Sequence, residues 1–139
     1  MQQASTSILH PEAPTSPVRN QRIAQGLLIV AALGALASLT SATSVIGKAD
    51  DALTITAVHD LLGFPVYAAL FLLLARKPRI LPGLWEILIL QKAAMSILAL
   101  TIYRDADGAM LTGTIDAVLT LMLIAAYLLS RGYTAWQSR

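Results

Sequence analysis

The sequence predicts an all-α integral membrane protein, an up-down four-helix bundle with both termini in the cytoplasm. Three observations predict it. First, 56% of the 139 residues are hydrophobic and 13% are charged, whereas soluble domains carry about 25% charged residues. Second, four apolar stretches each approach the roughly 20 residues that cross about 30 Å of hydrocarbon as a helix. Third, the basic residues gather at alternate ends of those stretches.

The elements follow in order. Residues 1–21 are polar and proline-rich, a composition that buries too little apolar surface to offset ordering entropy, so a disordered cytoplasmic tail is expected. Arg19 and Arg22 come late for a signal peptide, and the apolar run after them is too long. The transmembrane domain covers 22–131. Span one, about 23–46, has no charge and carries Gly34, Ser38 and Ala42 at a spacing that lets helix backbones approach closely. Span two, about 53–75, contains Gly63 and Pro65, and a proline there removes a backbone hydrogen bond and favours a kink. Span three, about 80–103, is expected to start at Pro82, a residue suited to a helix start. Span four, about 109–130, precedes a cytoplasmic tail over 132–139. The connections GKADD, RKP and RDADG are short, so neighbouring helices run antiparallel.

Sidedness follows from charge. Arg19, Arg22, Arg76, Lys77, Arg79, Arg131 and Arg139 all fall on one side if the chain crosses four times. The other side receives Lys48 and Arg104 together with Asp50, Asp51, Asp105 and Asp107. The basic side is cytoplasmic, and the protein belongs in the inner (plasma) membrane as a multi-pass protein. Trp85, Tyr103, Tyr133 and Trp136 fit interfacial aromatic belts.

Ionisable groups inside the spans cost about 2.5–3.5 kcal/mol each on insertion scales, so they are candidate functional residues. They are His59 and Asp60 in span two, Glu86 and Lys92 in span three, and Asp116 in span four. Helical spacing sets Thr56, His59, Asp60, Gly63 and Tyr67 on one stripe. Trp85, Lys92, Ser96 and Tyr103 form a second, and Gly113, Asp116, Thr120 and Tyr127 a third. Lys92 lies about 16 Å below the outer end of its span, and its stem reaches upward. A cluster of Lys92 with Asp60 and Asp116, flanked by His59, therefore compensates the burial of each charge. Glu86 lies roughly 120° around the helix from Lys92 at about 100° per residue, so the two are not an ion pair. Glu86 sits lower, beside Trp85, with no evident basic partner.

The chain has no cysteine, which excludes disulfides, thiol catalysis and Cys-ligated metals. HExxH, Walker A and GxSxG patterns are missing, so neither metal nor cofactor is expected. DADG at 105–108 fails as a calcium loop, because matching Gly108 to the sixth position places Tyr103 first and Thr114 twelfth. The RKPR run at 76–79 reads as a positive-inside anchor before a lipid head-group site. The net charge of +2 gives no nucleic-acid footprint.

RIAQGLL at 22–28 and GTIDAVL at 113–119, within the four-span plan, resemble small bacterial DoxX-like membrane proteins. The resemblance covers about residues 20–130, implies a four-helix bundle in a bacterial inner membrane, and transfers no catalytic residue. Small multidrug transporters carry an intramembrane Glu in their first span, which here is uncharged.

Three functions stay open. The first is a structural or accessory role in which the cluster specifies packing, a homo-oligomer or a membrane partner. The second is a pocket lined by His59, Asp60, Glu86, Lys92 and Asp116 that binds or transforms a small amphipathic molecule. The third is a proton- or ion-coupled transporter subunit, which needs an oligomer because four helices leave little room for alternating access. Catalysis is neither implied nor excluded by these residues.

Overall fold

A computed structural model describes residues 17–46, 51–79 and 82–137, with the side chains at 41–57 and at Asp60 outside the described set. The described residues form four α-helices and no strand. These are α1 (Val18–Ile46), α2 (Asp51–Arg76), α3 (Leu84–Thr101) and α4 (Ala109–Ser130), followed by a short 3-10 helix, Gly132–Trp136. Helix α1 packs against α2 and α4, and α3 packs against α4.

Small residues dominate the interior and large apolar ones the exterior. The core holds Leu28 of α1, Phe71 and Leu74 of α2, Trp85 of α3 and Leu123 of α4, with alanines such as Ala31, Ala68 and Ala126 between them. Outside, Leu90 is 70% exposed, Leu121 68% and Leu62 64%. A water-soluble helix presents a polar outer face, and an apolar exterior on this scale needs lipid around it. Among the described residues three helical stretches are long and apolar enough to cross a membrane: Val18–Thr40, Leu84–Thr101 and Ala109–Ser130. In α2 the apolar stretch among the described residues is Leu61–Arg76.

Helix boundaries depart from the expected spans in three places. Helix α1 starts within the expected tail: the Pro17 carbonyl accepts from the amides of Asn20 at 2.9 Å and Gln21 at 3.2 Å. A proline there lacks only an N–H that the first turn leaves unpaired anyway. Helix α3 begins at Leu84, not at Pro82, because Gly83 takes φ +88°, a left-handed conformation that glycine adopts without steric cost. Its carbonyl then accepts the first helical bond, from Ile87 at 3.0 Å. The segment after α4 is not an open tail. Arg131 takes φ +54° and ends the helix, and residues 132–136 fold back as the 3-10 helix.

The tight-packing expectation for span one also changes. Gly34 is exposed, and a methyl group added there meets nothing within 4 Å. The close approach occurs instead between α3 and α4 at Gly113, where an added Cβ lies 2.7 Å from Leu100 Cγ and 3.0 Å from Ala99 Cβ. Ser96 Oγ donates to the Gly113 carbonyl at 2.9 Å across the same contact. A small residue lets backbones approach and hydrogen-bond in this way.

Gly113→Ala is expected to lower stability by about 1–3 kcal/mol through overpacking. Gly34→Ala is expected to be neutral or stabilising, since alanine is the better helix former by about 1 kcal/mol. Thermal unfolding of the two variants in detergent checks the contrast.

Candidate functional site

Two polar centres lie on α3, and they are separate. The upper one is built on Lys92. Its Nζ lies 2.9 Å from Asp116 Oδ1, and the two side chains are 12% and 8% exposed. The ammonium also sits 4.4 Å from the centre of the Tyr67 ring on α2. A cation over an aromatic face gains most where water is excluded. Lys92 thus joins α2, α3 and α4 through one atom. The charge meets a carboxylate on one side and an aromatic face on another, the compensation that burial in an apolar layer demands. One helical turn above, Ser96 is buried and bonded to Gly113. The Thr120 hydroxyl donates to its own helix, at the Asp116 carbonyl, at 2.7 Å.

The rest of the expected cluster divides. The His59 side chain is exposed on α2. The side chain of Asp60 lies outside the described residues. Tyr67 supplies the α2 contact.

Glu86 forms the lower centre, in the first turn of α3. Its Oε1 accepts from the Tyr127 hydroxyl at 2.6 Å and from Trp136 Nε1 at 3.1 Å. Neutral donors replace the basic partner that the sequence lacks. Trp136 reaches Glu86 because the chain reverses at Arg131 and presses Gly132 against Trp85. A Cβ on Gly132 would stand 2.6 Å from the Tyr127 ring and 2.7 Å from Trp85 Nε1. Trp85 is 1% exposed, so it is a core residue and not part of an interfacial belt. Its Nε1 donates to the Pro78 carbonyl at 2.8 Å, tying α3 to the preceding turn. The Trp85 and Tyr127 rings lie 5.7 Å apart, and Tyr133 meets Tyr127 edge-on at 6.1 Å. Both geometries fall within the attractive range for aromatic pairs.

Contacts along α3 and α4 run in opposite order: Glu86 meets Tyr127, and Ser96 meets Gly113. The two helices are therefore antiparallel. Gln91, between the centres, keeps its Oε1 buried and without a hydrogen-bond partner, at a cost of about 1–3 kcal/mol.

Two cavities, of about 380 Å³ and 240 Å³, are lined by none of His59, Glu86, Lys92 or Asp116. Among the described residues no group of three His, Asp or Glu side chains could hold a metal ion. No family model matches the chain, and neither a curated protein nor a solved structure matches it.

Tyr127→Phe removes the shorter bond to Glu86 and is expected to cost about 1–3 kcal/mol, since the carboxylate loses a donor. Combining it with Glu86→Gln is expected to cost less than the two single changes together, because residues in one hydrogen-bond network couple. A double-mutant cycle on unfolding in detergent measures this.

Proposed function

We propose that the chain is a non-catalytic, four-span protein of a bacterial inner membrane, acting as a structural or accessory subunit for a membrane partner or a second copy of itself. One observation carries the reading. The buried charges satisfy each other, with Lys92 held by Asp116 at 2.9 Å and by the Tyr67 ring at 4.4 Å. A catalytic or transport centre leaves a group open to substrate, ion or water. This one is closed, which suits a lock that sets helix register.

Charge placement supports the topology. Arg76, Lys77 and Arg79 border one cavity together with Gln21 at the start of α1 and Ser130 at the end of α4. The start of α1 and the ends of α2 and α4 therefore meet at one basic end. The positive-inside rule makes that end cytoplasmic and gives four crossings with both termini inside. The DoxX-like segments support the bacterial inner membrane, and GTIDAVL contains both Gly113 and Asp116, which hold α4 to α3.

Lys92→Met tests the proposal. It leaves the Asp116 carboxylate buried without a counter-ion and is expected to destabilise by about 3–5 kcal/mol, whereas Lys92→Met with Asp116→Leu recovers most of the loss. Thermal unfolding in detergent reads both. A Lys92→Met protein that keeps full stability but loses a co-purifying small molecule would favour a ligand pocket. Proton flux in liposomes that falls on Asp116→Asn would favour an ion pathway.

A further inference from the structure

The larger cavity, about 380 Å³, lies at the basic end between α1, α2 and the turn that follows α2. Its volume falls within the range of small-ligand sites, about 300–1,000 Å³. The cavity has two kinds of wall. Leu28 and Leu74, both fully buried core residues, contribute an apolar floor. Arg76, Lys77 and Arg79 form a cationic rim, with the Gln25 amide beside it. Among the described residues the lining contains no acidic residue. Three positive side chains at one mouth repel one another, and no described lining residue supplies a counter-charge. Arg79 is half-buried, and its Nη2 is shut off from solvent with no hydrogen-bond partner. A guanidinium is weakly hydrated and presents a planar fork that matches phosphate oxygens. An anion in the cavity would neutralise the rim, and a turn of the Arg79 side chain toward it would give the stranded nitrogen an acceptor.

We propose that this cavity is a binding site for a phosphate group, carried by an anionic membrane lipid. Arg79 grips the phosphate oxygens, Arg76 and Lys77 supply positive potential at the mouth, and the apolar floor takes the first carbons of the lipid. Anionic lipids concentrate on the cytoplasmic leaflet, where juxtamembrane basic residues attract them. The site is independent of the Lys92 lock, so failure of one leaves the other standing.

The test uses the full chain purified in neutral detergent, with three probes: phosphatidylglycerol, zwitterionic phosphatidylcholine and inorganic phosphate. Native mass spectrometry and a displacement titration read binding. Phosphatidylglycerol is expected to bind at least about tenfold more tightly than phosphatidylcholine, one charge-assisted contact being worth about that factor. Arg79→Gln is expected to remove about tenfold of that affinity, and Lys77→Gln a smaller factor. Arg104→Gln, at the opposite end, is expected to leave it unchanged. Inorganic phosphate that fails to displace the lipid at matched concentration assigns the site to lipid. Displacement by inorganic phosphate supports the phosphate site and assigns it to a soluble source. Equal binding of the two lipids, unaffected by Arg79→Gln and Lys77→Gln, overturns the proposal. If Arg79→Gln does not fold, Lys77→Gln and the lipid comparison on the unaltered chain still decide it.

Discussion

Lys92 sits in an apolar helix because Asp116 Oδ1 lies 2.9 Å from its ammonium and the Tyr67 ring covers another face. Transfer of a lone charge into hydrocarbon is so unfavourable that it must find a partner or lose its proton. That demand constrains the helices around it. Asp116 must face α3, which fixes the rotation of α4. Tyr67 must approach from α2, which fixes the other side. Gly113 and Ser96, one turn further along, then bring the α3 and α4 backbones close enough for a hydrogen bond. Apolar packing between lipid-bathed helices gains nothing from the hydrophobic effect, because lipid is as apolar as leucine. Directional contacts such as these therefore set the register.

The lower end solves a related problem with different chemistry. Among the described residues Glu86 has no cation in ion-pair contact and takes two neutral donors, Tyr127 and Trp136. It also lies in the first turn of α3, where the helix dipole favours a negative group. Its donors come from the end of α4 and from the 3-10 segment, so the carboxylate fastens the C-terminal residues beneath the helices. Gly132 makes this possible by leaving room for Trp85. One residue along, Trp85 holds the Pro78 carbonyl and closes the turn before α3. Adjacent residues of one helix thus anchor the chain on both sides of it, and the basic turn that follows α2 becomes the rim of the large cavity.

Helix class and position were legible in the sequence because apolar length and charge deficit are strong, redundant signals. The Lys92–Asp116 pair was legible too, since helical spacing and depth placed both residues on facing stripes. Tyr67 and Tyr127 fell on the right stripes, but spacing does not say that a ring will cover a cation or that a phenol will bond a carboxylate. The partner of Glu86 on the 3-10 segment was hidden for a clearer reason. It depends on a left-handed backbone at Arg131, a non-glycine residue that carries no turn signal. His59 shares the Tyr67 stripe by spacing, yet its side chain is exposed, because a helical stripe fixes direction around the axis and not how closely a neighbouring helix covers it. Trp85 looked interfacial by composition, yet its indole found an acceptor inside the fold, and a satisfied N–H permits full burial.

The described helices carry many exposed leucines, isoleucines and valines between their ends, so a partner within the membrane would meet apolar faces while the interior stays locked. The lock exists only if Lys92 and Asp116 are in contact in a bilayer. Solid-state NMR on the full chain in liposomes measures this directly, through the dipolar coupling between ¹⁵N at Lys92 Nζ and ¹³C at the Asp116 carboxyl. A strong, short-range coupling is the expected result. A coupling too weak to detect, in protein whose helices remain intact, would contradict the account, because Lys92 would then owe its place in the membrane to something other than Asp116.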